Sequence, residues 1–323
     1  MDIRFYDLNL NLIHILPPSS GVAGYVSMNC KIEFQGDGSF ELSFWDDNLV
    51  NIIKNHPEGI ILKWGIFEGI STDYSLTEDE KKLFGKHLNN LLVKSAIPPS
   101  DLSGNVQTLV YKIISDNYDW IETAETQTGF ENVTYKTDKY TAGNTFVSNL
   151  CARGFSGYYL YLDIPNKKYK FKILKTVDRN FIFSESNLNA YEIQEDFDGK
   201  NIAFGGWYEK QNYDSEGKKK DTTWTYIKTE TKQGVYKQDV ILKATDPTEA
   251  EKELKTHIAD YTVSLKTKNV KYGTDYNLGE KVRLQHDGIT TKKYITGVEL
   301  WHENTENGEQ PILGELKEVK ENG

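Results

Sequence analysis

A mixed α+β fold, mainly β, is predicted for this 323-residue chain: two small barrel-like β-domains with an inserted helical, α+β middle region. Three observations predict it. Apolar residues alternate with a period of two at both ends of the chain. Helical periodicity is confined to a few short stretches in the middle and near residue 250. Turn-forming residues cut the alternating runs into short pieces.

In the N-terminal region Ile3 and Phe5 alternate, and so do Leu8, Leu10 and Leu12 around Asn9 and Asn11. Ile32 and Phe34 lead into Gly36-Asp37-Gly38, and Phe40, Leu42 and Phe44 lead out, which is a hairpin signal. Ile60, Leu62 and Trp64 form another alternating strand. Several short strands with separate turns predict a first β-barrel domain over residues 1–97, which strands from 187–245 could complete. Glu78-Asp79-Glu80 reads as the acidic first turn of a helix. Phe84, Leu88, Leu91 and Leu92 then spell an apolar helical face. His87 on that helix reads as solvent-facing or hydrogen-bonded, not as a ligand or base.

The breakers Pro98 to Gly104 open an α+β middle domain, residues 98–186. Val106, Leu109, Val110, Ile113 and Ile114 predict an amphipathic helix ending near Asp116-Asn117. A second helix carries Phe146, Val147, Leu150 and Cys151, with Thr141 or Asn144 as cap and Gly154 as stop. A hairpin follows, 158–163 and 169–173, turning through Pro165 to Lys168. Residues 187–245 read as a β-region with an exposed loop, 207–225, around Lys218-Lys219-Lys220. From 246 to 323 the chain predicts a helix followed by a C-terminal β-barrel. Asp246 caps the helix, Pro247 occupies its first position and Glu249 completes an acidic capping box. Ala250, Leu254, Ile258 and Tyr261 form its apolar stripe. The period then switches to two at Tyr261, Val263 and Leu265.

Composition excludes several classes of function. The net charge of -10 argues against a nucleic-acid backbone binder and disfavours docking on anionic membranes. No apolar run is long enough to span a bilayer, and the acidic, alternating N-terminus is not that of a signal peptide. Cys30 and Cys151 read as buried thiols. The six histidines, 14, 56, 87, 257, 286 and 302, are dispersed, and neither metal-binding nor phosphate-binding motifs occur. Asp116 and Asp119, or Glu192, Glu195 and Asp196, could in principle supply a glycosidase acid and nucleophile, an assignment that needs their separation in space. No catalytic, cofactor-binding or metal-binding residue is assigned, and no cofactor is expected. Trp207, Tyr208, Trp224 and Tyr226 flank the exposed loop and leave two readings open: stacking on sugars, or anchoring a hairpin.

Several segments also carry a resemblance. Tyr272-Gly-Thr-Asp-Tyr-Asn-Leu-Gly-Glu280, with the later Ile295-Thr-Gly-Val-Glu299, is similar to a "Y-G-x-D-Y-x-L-G-D-x-V … I-T-x-V-E" pattern, Glu280 standing where Asp is usual. Tyr6-Asp7, Leu10, Ile13 and Gly38-Ser-Phe-Glu-Leu42 match an opening strand and hairpin arm. Gly85, Leu88, Leu91 and Leu92 match a third segment, with Lys86 for Arg and Val93-Lys94 for a double Arg. Phe181-Ile-Phe-Ser184 with Asn187-Leu188 matches a fourth. Together they resemble the siphophage Gp37-like tail proteins of the baseplate-hub superfamily of tailed bacteriophages.

That resemblance implies a structural baseplate hub at the virion tail tip, assembled in the bacterial host cytoplasm, and not an enzyme. It implies a homotrimer in which two small barrels per subunit make a ring of six, adapting a six-fold tail to a three-fold tip. The implied partners are the distal tail protein, tail-tip or fibre proteins, and the tape-measure protein in the channel, with DNA passing through without specific binding. The chain stops just after its last barrel, the arrangement expected of a hub alone. The alternative from another class is a cell-wall carbohydrate-binding or peptidoglycan-hydrolysing tail-tip protein.

Overall fold

A computed structural model describes residues 1–18, 24–77, 80–198, 202–213, 219–229, 238–254, 257, 260–303 and 306–316. The chain forms two compact units, one of residues 1–194 and 263–319, the other mainly of residues 195–262.

The larger unit is built on a 13-stranded, mostly antiparallel sheet. Its centre is the long strand Ile289–Glu303, which pairs with Glu280–His286, with Glu306–Gly314 and with Tyr25–Glu33. Across the last of these pairs Val298 faces Ile32 and Leu300 faces Cys30, all four buried. The path continues through Ser39–Phe44, Lys81–His87, Phe67–Leu76, Ile61–Trp64 and Ile3–Tyr6 to the edge strand Leu12–Leu16. Alternation explains the inward face: Ile32, Phe34, Phe40, Leu42 and Phe44 enter one core. The hairpin predicted at Gly36-Asp37-Gly38 is present. Gly38 has φ +57, and a side chain there would meet the Lys31 carbonyl oxygen at 2.1 Å, so only glycine fits.

The two barrel-like domains are not there. Among the described residues no sheet closes: the long path ends at Ala190–Asp198 on one side and at Leu12–Leu16 on the other, and the remaining sheets have two or three strands. The reason lies in the pairing of Tyr25–Glu33 with Ile289–Glu303. Backbone groups that could have closed an N-terminal and a C-terminal barrel are spent joining the two ends of the chain into one open sheet. Alternation reports that one face is buried; it does not report closure.

A second core in the same unit lies between helices and a smaller sheet. Helix Val106–Asn117, capped by Asn105, and helix Gly143–Arg153 contribute Val106, Val110, Ile114, Phe146, Val147 and Leu150. The hairpin Ser156–Asp163 with Lys168–Lys175 contributes Tyr158, Leu160, Phe171 and Ile173 from one face. Neither Thr141 nor Asn144 caps the second helix; its cap position is Ala142, without a side-chain bond. Asn144 Nδ2 instead donates to Asp37 at 2.7 Å.

Residues 81–94 differ from expectation as well. Phe84 lies in the strand Lys81–His87, and only Leu88–Lys94 is helical, as a 3-10 turn burying Leu88, Leu91 and Leu92. Thr77 bonds to Glu80 through backbone and hydroxyl, making a turn and not a helix start, while Glu78 and Asp79 lie outside the described residues. Helix Asp47–Asn55, capped by Asp46, was not foreseen, because it buries only Leu49 and Ile53.

The Tyr272-to-Glu280 motif has a structural explanation. Tyr272 N and Tyr276 Oη both donate to Glu309 Oε1 at 2.7 Å, and Asp275 Oδ2 accepts from Lys271 N at 2.7 Å. Glu280 receives Arg179 Nη1 at 2.8 and 3.0 Å and Asn277 Nδ2 at 3.2 Å. The segment is a folded turn locked to the last strand.

The smaller unit sets the predicted helix, Pro247–Leu254, against a three-stranded sheet ordered Lys219–Lys228, Gly205–Tyr213, Asp239–Ile241. Asp246 caps the helix through Thr248 N at 2.8 Å. Ala250 and Leu254 are buried with Tyr208, Leu242, Ala203 and Ala244. Ile258 and the side chains of Glu249 and Tyr261 lie outside the described residues. The predicted switch to a strand is present as Asp260–Thr267.

Candidate interaction surfaces

Cys151 is buried on its helix, and burial pushes its thiol up to about 12, the opposite of what a nucleophile needs. Cys30 is buried too, its thiol also raised by desolvation. Asp116, Asp119, Glu192, Glu195 and Asp196 are exposed, and Glu192 pairs with Lys266 at 2.6 Å. Among the described residues no group of three or more His, Cys, Asp or Glu could hold a metal ion.

His87 is hydrogen-bonded and not solvent-facing. It is buried between the rings of Phe67 and Tyr159, at centroid distances of 5.8 and 4.7 Å. Nδ1 accepts from Asn89 N at 3.2 Å, so the proton of the neutral ring resides on Nε2. Desolvation lowers its pKa to about 3. Beside it runs a buried polar seam that sequence reading missed. Asn89 Nδ2 donates to the carbonyls of Gly36 (2.9 Å) and Tyr158 (3.3 Å), and its Oδ1 accepts from Leu160 N (2.8 Å). Glu68 accepts from Leu162 N at 2.8 Å and pairs with Lys63; burial raises its pKa in spite of that lysine. These groups stitch the large sheet to the Ser156–Asp163 strand. Asn89 and Glu68 are satisfied by these internal bonds, whereas His87 Nε2 is buried without a hydrogen-bond partner among the described residues.

A cleft of about 440 Å³ lies beside Glu122, Gln127, Tyr161, Lys170 and Lys172. Most of its charges are paired, Glu125 on its wall being exposed. Lys170 pairs with Asp163 at 2.8 Å, Glu122 pairs with Lys168, and Lys172 sits over the rings of Tyr159 and Tyr161 at 5.4 and 5.3 Å.

The aromatic quartet is different. Register puts Trp207 opposite Tyr226 and Glu209 opposite Trp224, so these four share one face. Tyr208, the sequence neighbour of Trp207, points to the other face and is 1% exposed in the core under the helix. The strand Asp239–Ile241 runs parallel beside them with Ile241 in register with Trp207. On this outer face Trp207 is 44% exposed, Trp224 57% and Ile241 77%. The Trp207 and Tyr226 rings are 5.1 Å apart at 49°. Two carboxylates are fixed among the rings: Thr222 Oγ1 donates to Glu209 at 2.7 Å and Tyr226 Oη to Asp239 at 2.9 Å. Structure thus brings together three of the four flagged residues and adds Ile241 and the two carboxylates. Lys219 and Lys220 open a strand, and residues 214–218, including Lys218, lie outside the described residues.

No family model matches the sequence, and neither does any curated protein. The fold is shared with solved structures. A prophage tail protein, gp18, from Listeria monocytogenes EGD-e superposes with a TM-score of 0.51 at 16% identity, over 97% of this chain and 94% of that one. A tail protein from Neisseria meningitidis MC58 gives 0.52 at 11% identity, over 97% and 96%. A Francisella PdpA-VgrG complex gives 0.50 at 12% identity, over 99% of this chain and 53% of that one. At such identities the likeness is one of fold. It takes in these tail proteins and a chain of the PdpA-VgrG complex, and does not single out the siphophage Gp37-like group.

Proposed function

We propose that this chain is a structural protein of a phage-type tail tip, a baseplate hub in a virion or in a related particle. The observation that carries the reading is the extent of the fold likeness: nearly the whole chain superposes on nearly the whole of two bacterial tail proteins. Three further features support it. The cysteines are buried, Asn89 and Glu68 are spent on internal bonds, and the sheet keeps an open edge at Leu12–Leu16, where Leu12 and Ile15 are exposed. Backbone donors and acceptors along such an edge are suited to pairing with another chain.

In the finer form of the proposal three copies close a ring around a channel, between a six-fold distal tail protein above and three-fold tip or fibre proteins below. The ring is built from open sheets joined at subunit contacts and not from closed barrels. Tape-measure protein and then DNA pass through it, and the net charge of -10 keeps DNA from adhering. The protein resides at the tail tip, is assembled in the host cytoplasm and performs no catalysis. Light scattering across a concentration range tests the assembly. The proposal predicts a stable species of three times 37.0 kDa. A species of any other fixed stoichiometry contradicts the ring. Release of soluble fragments from purified cell wall by the protein contradicts the non-catalytic role.

A further inference from the structure

The small sheet of residues 205–241 has one face that folding uses and one that it leaves over. Tyr208, Ile227, Val240 and Leu242 belong to the core shared with the helix Pro247–Leu254. Anchoring the hairpin is therefore done by Tyr208. It does not account for Trp207 and Trp224, whose exposure forgoes the burial that normally rewards a large aromatic.

We infer that Trp207, Tyr226, Trp224 and Ile241 form a binding face for a neutral, N-acetylated polysaccharide. Sugar rings lie on the indole and phenol faces through their C–H bonds. Their hydroxyl and amide N–H groups donate to Glu209, and Ile241 meets the acetyl methyl group. Chemistry on this face selects that occupant over the others. Glu209 lies directly across from Trp224 and takes one hydrogen bond from Thr222, whereas an ionised carboxylate has room for several. Burying such a group under a protein interface costs free energy unless it is paired, and carboxylates are depleted at interface centres. A hydroxyl-rich glycan supplies donors and leaves the site wet. An anionic polymer, whether nucleic acid or a phosphate-linked glycan, would meet two carboxylates, with Lys228 at the margin as the one cation of the described positions on this face.

The test uses the full chain with two probes: soluble N-acetylglucosamine oligomers, and peptidoglycan sacculi stripped of anionic polymers. Oligomers are expected to change tryptophan fluorescence, and the protein is expected to sediment with sacculi. The double change Trp207→Ala, Trp224→Ala is expected to weaken both by roughly tenfold or more, at unchanged circular dichroism and Tm. Glu209→Ala is a second, independent probe. It is expected to weaken binding several-fold, while Glu209→Gln, which retains an acceptor, keeps most of it. Failure of the wild type to bind either probe at millimolar oligomer overturns the inference. So does binding unchanged in the double variant. Loss of assembly mass in that variant, with glycan binding intact, would instead identify the face as a protein contact and equally overturn it.

Discussion

The two antiparallel hairpins, one in each unit, make the same kind of structure and reach opposite ends. In both, one face packs against helix and carries a buried tyrosine, Tyr158 in one and Tyr208 in the other. In both, the second face mixes aromatic with charged residues. On the hairpin Ser156–Lys175 that second face is consumed internally. Tyr159 Oη donates to the Ile66 carbonyl at 3.1 Å, Lys172 covers the two tyrosine rings, and Lys170 and Asp163 neutralise each other. On the hairpin Gly205–Lys228 Trp207 and Trp224 stay exposed and Glu209 keeps acceptor capacity. An aromatic strand residue is thus a candidate for binding only after the rest of the chain has had its chance to cover it.

Breaking the buried faces should give the largest effects. Tyr208→Ala and Tyr158→Ala each remove a fully buried aromatic, and each is expected to destabilise its unit by about 3–5 kcal/mol in urea unfolding. A cost under ~1 kcal/mol at Tyr208 would mean that the small unit is not organised as described. Next comes His87, which is protonated in the unfolded chain below about 6.5 but in the folded chain only near 3. The unfolded state therefore binds more protons through that window. Stability is full above the unfolded value and falls on acidification, by up to ~1.4 kcal/mol per pH unit. Glu68, whose pKa is raised, works in the opposite sense: its contribution is present at low pH and lost as pH rises. Comparing wild type with His87→Phe from pH 7 to 4 isolates the histidine, and parallel curves would show that His87 is not buried neutral.

Gly38→Ala tests the hairpin that ties the large sheet to the polar seam. Strain from φ +57 and the close Lys31 carbonyl is expected to cost roughly 1–3 kcal/mol. Smallest of all should be Trp224→Ala, within ~0.5 kcal/mol of wild type, because its ring packs on solvent. A loss as large as that of Tyr208→Ala would erase the contrast between the two faces.

Much of the local structure was legible in sequence, for reasons that name particular residues. Phe40, Leu42 and Phe44 have one strand-like spacing, Asp246 stands where a helix needs a cap, and Gly36-Asp37-Gly38 sits where the chain must turn. Closure of the sheets was not legible, because it depends on strands more than two hundred residues apart finding each other across Ile32 and Val298. Residues 81–94 misled because Phe84 and Leu88 keep helical spacing while belonging to a strand and a 3-10 turn. At the candidate site, neighbours Trp207 and Tyr208 must face opposite ways in any strand; which face the helix would claim was decided by Leu242, Ala250 and Leu254. Ile241 was invisible, being exposed in a three-residue strand that only pairing reveals. The seam of Glu68, His87 and Asn89 offered no spacing at all, since its partners lie on segments brought together by the fold.

Electron microscopy of the purified protein, class-averaged without imposed symmetry, tests the central claim most directly. The account predicts three-fold rings with a central hole. Solid particles without a through-channel would contradict it.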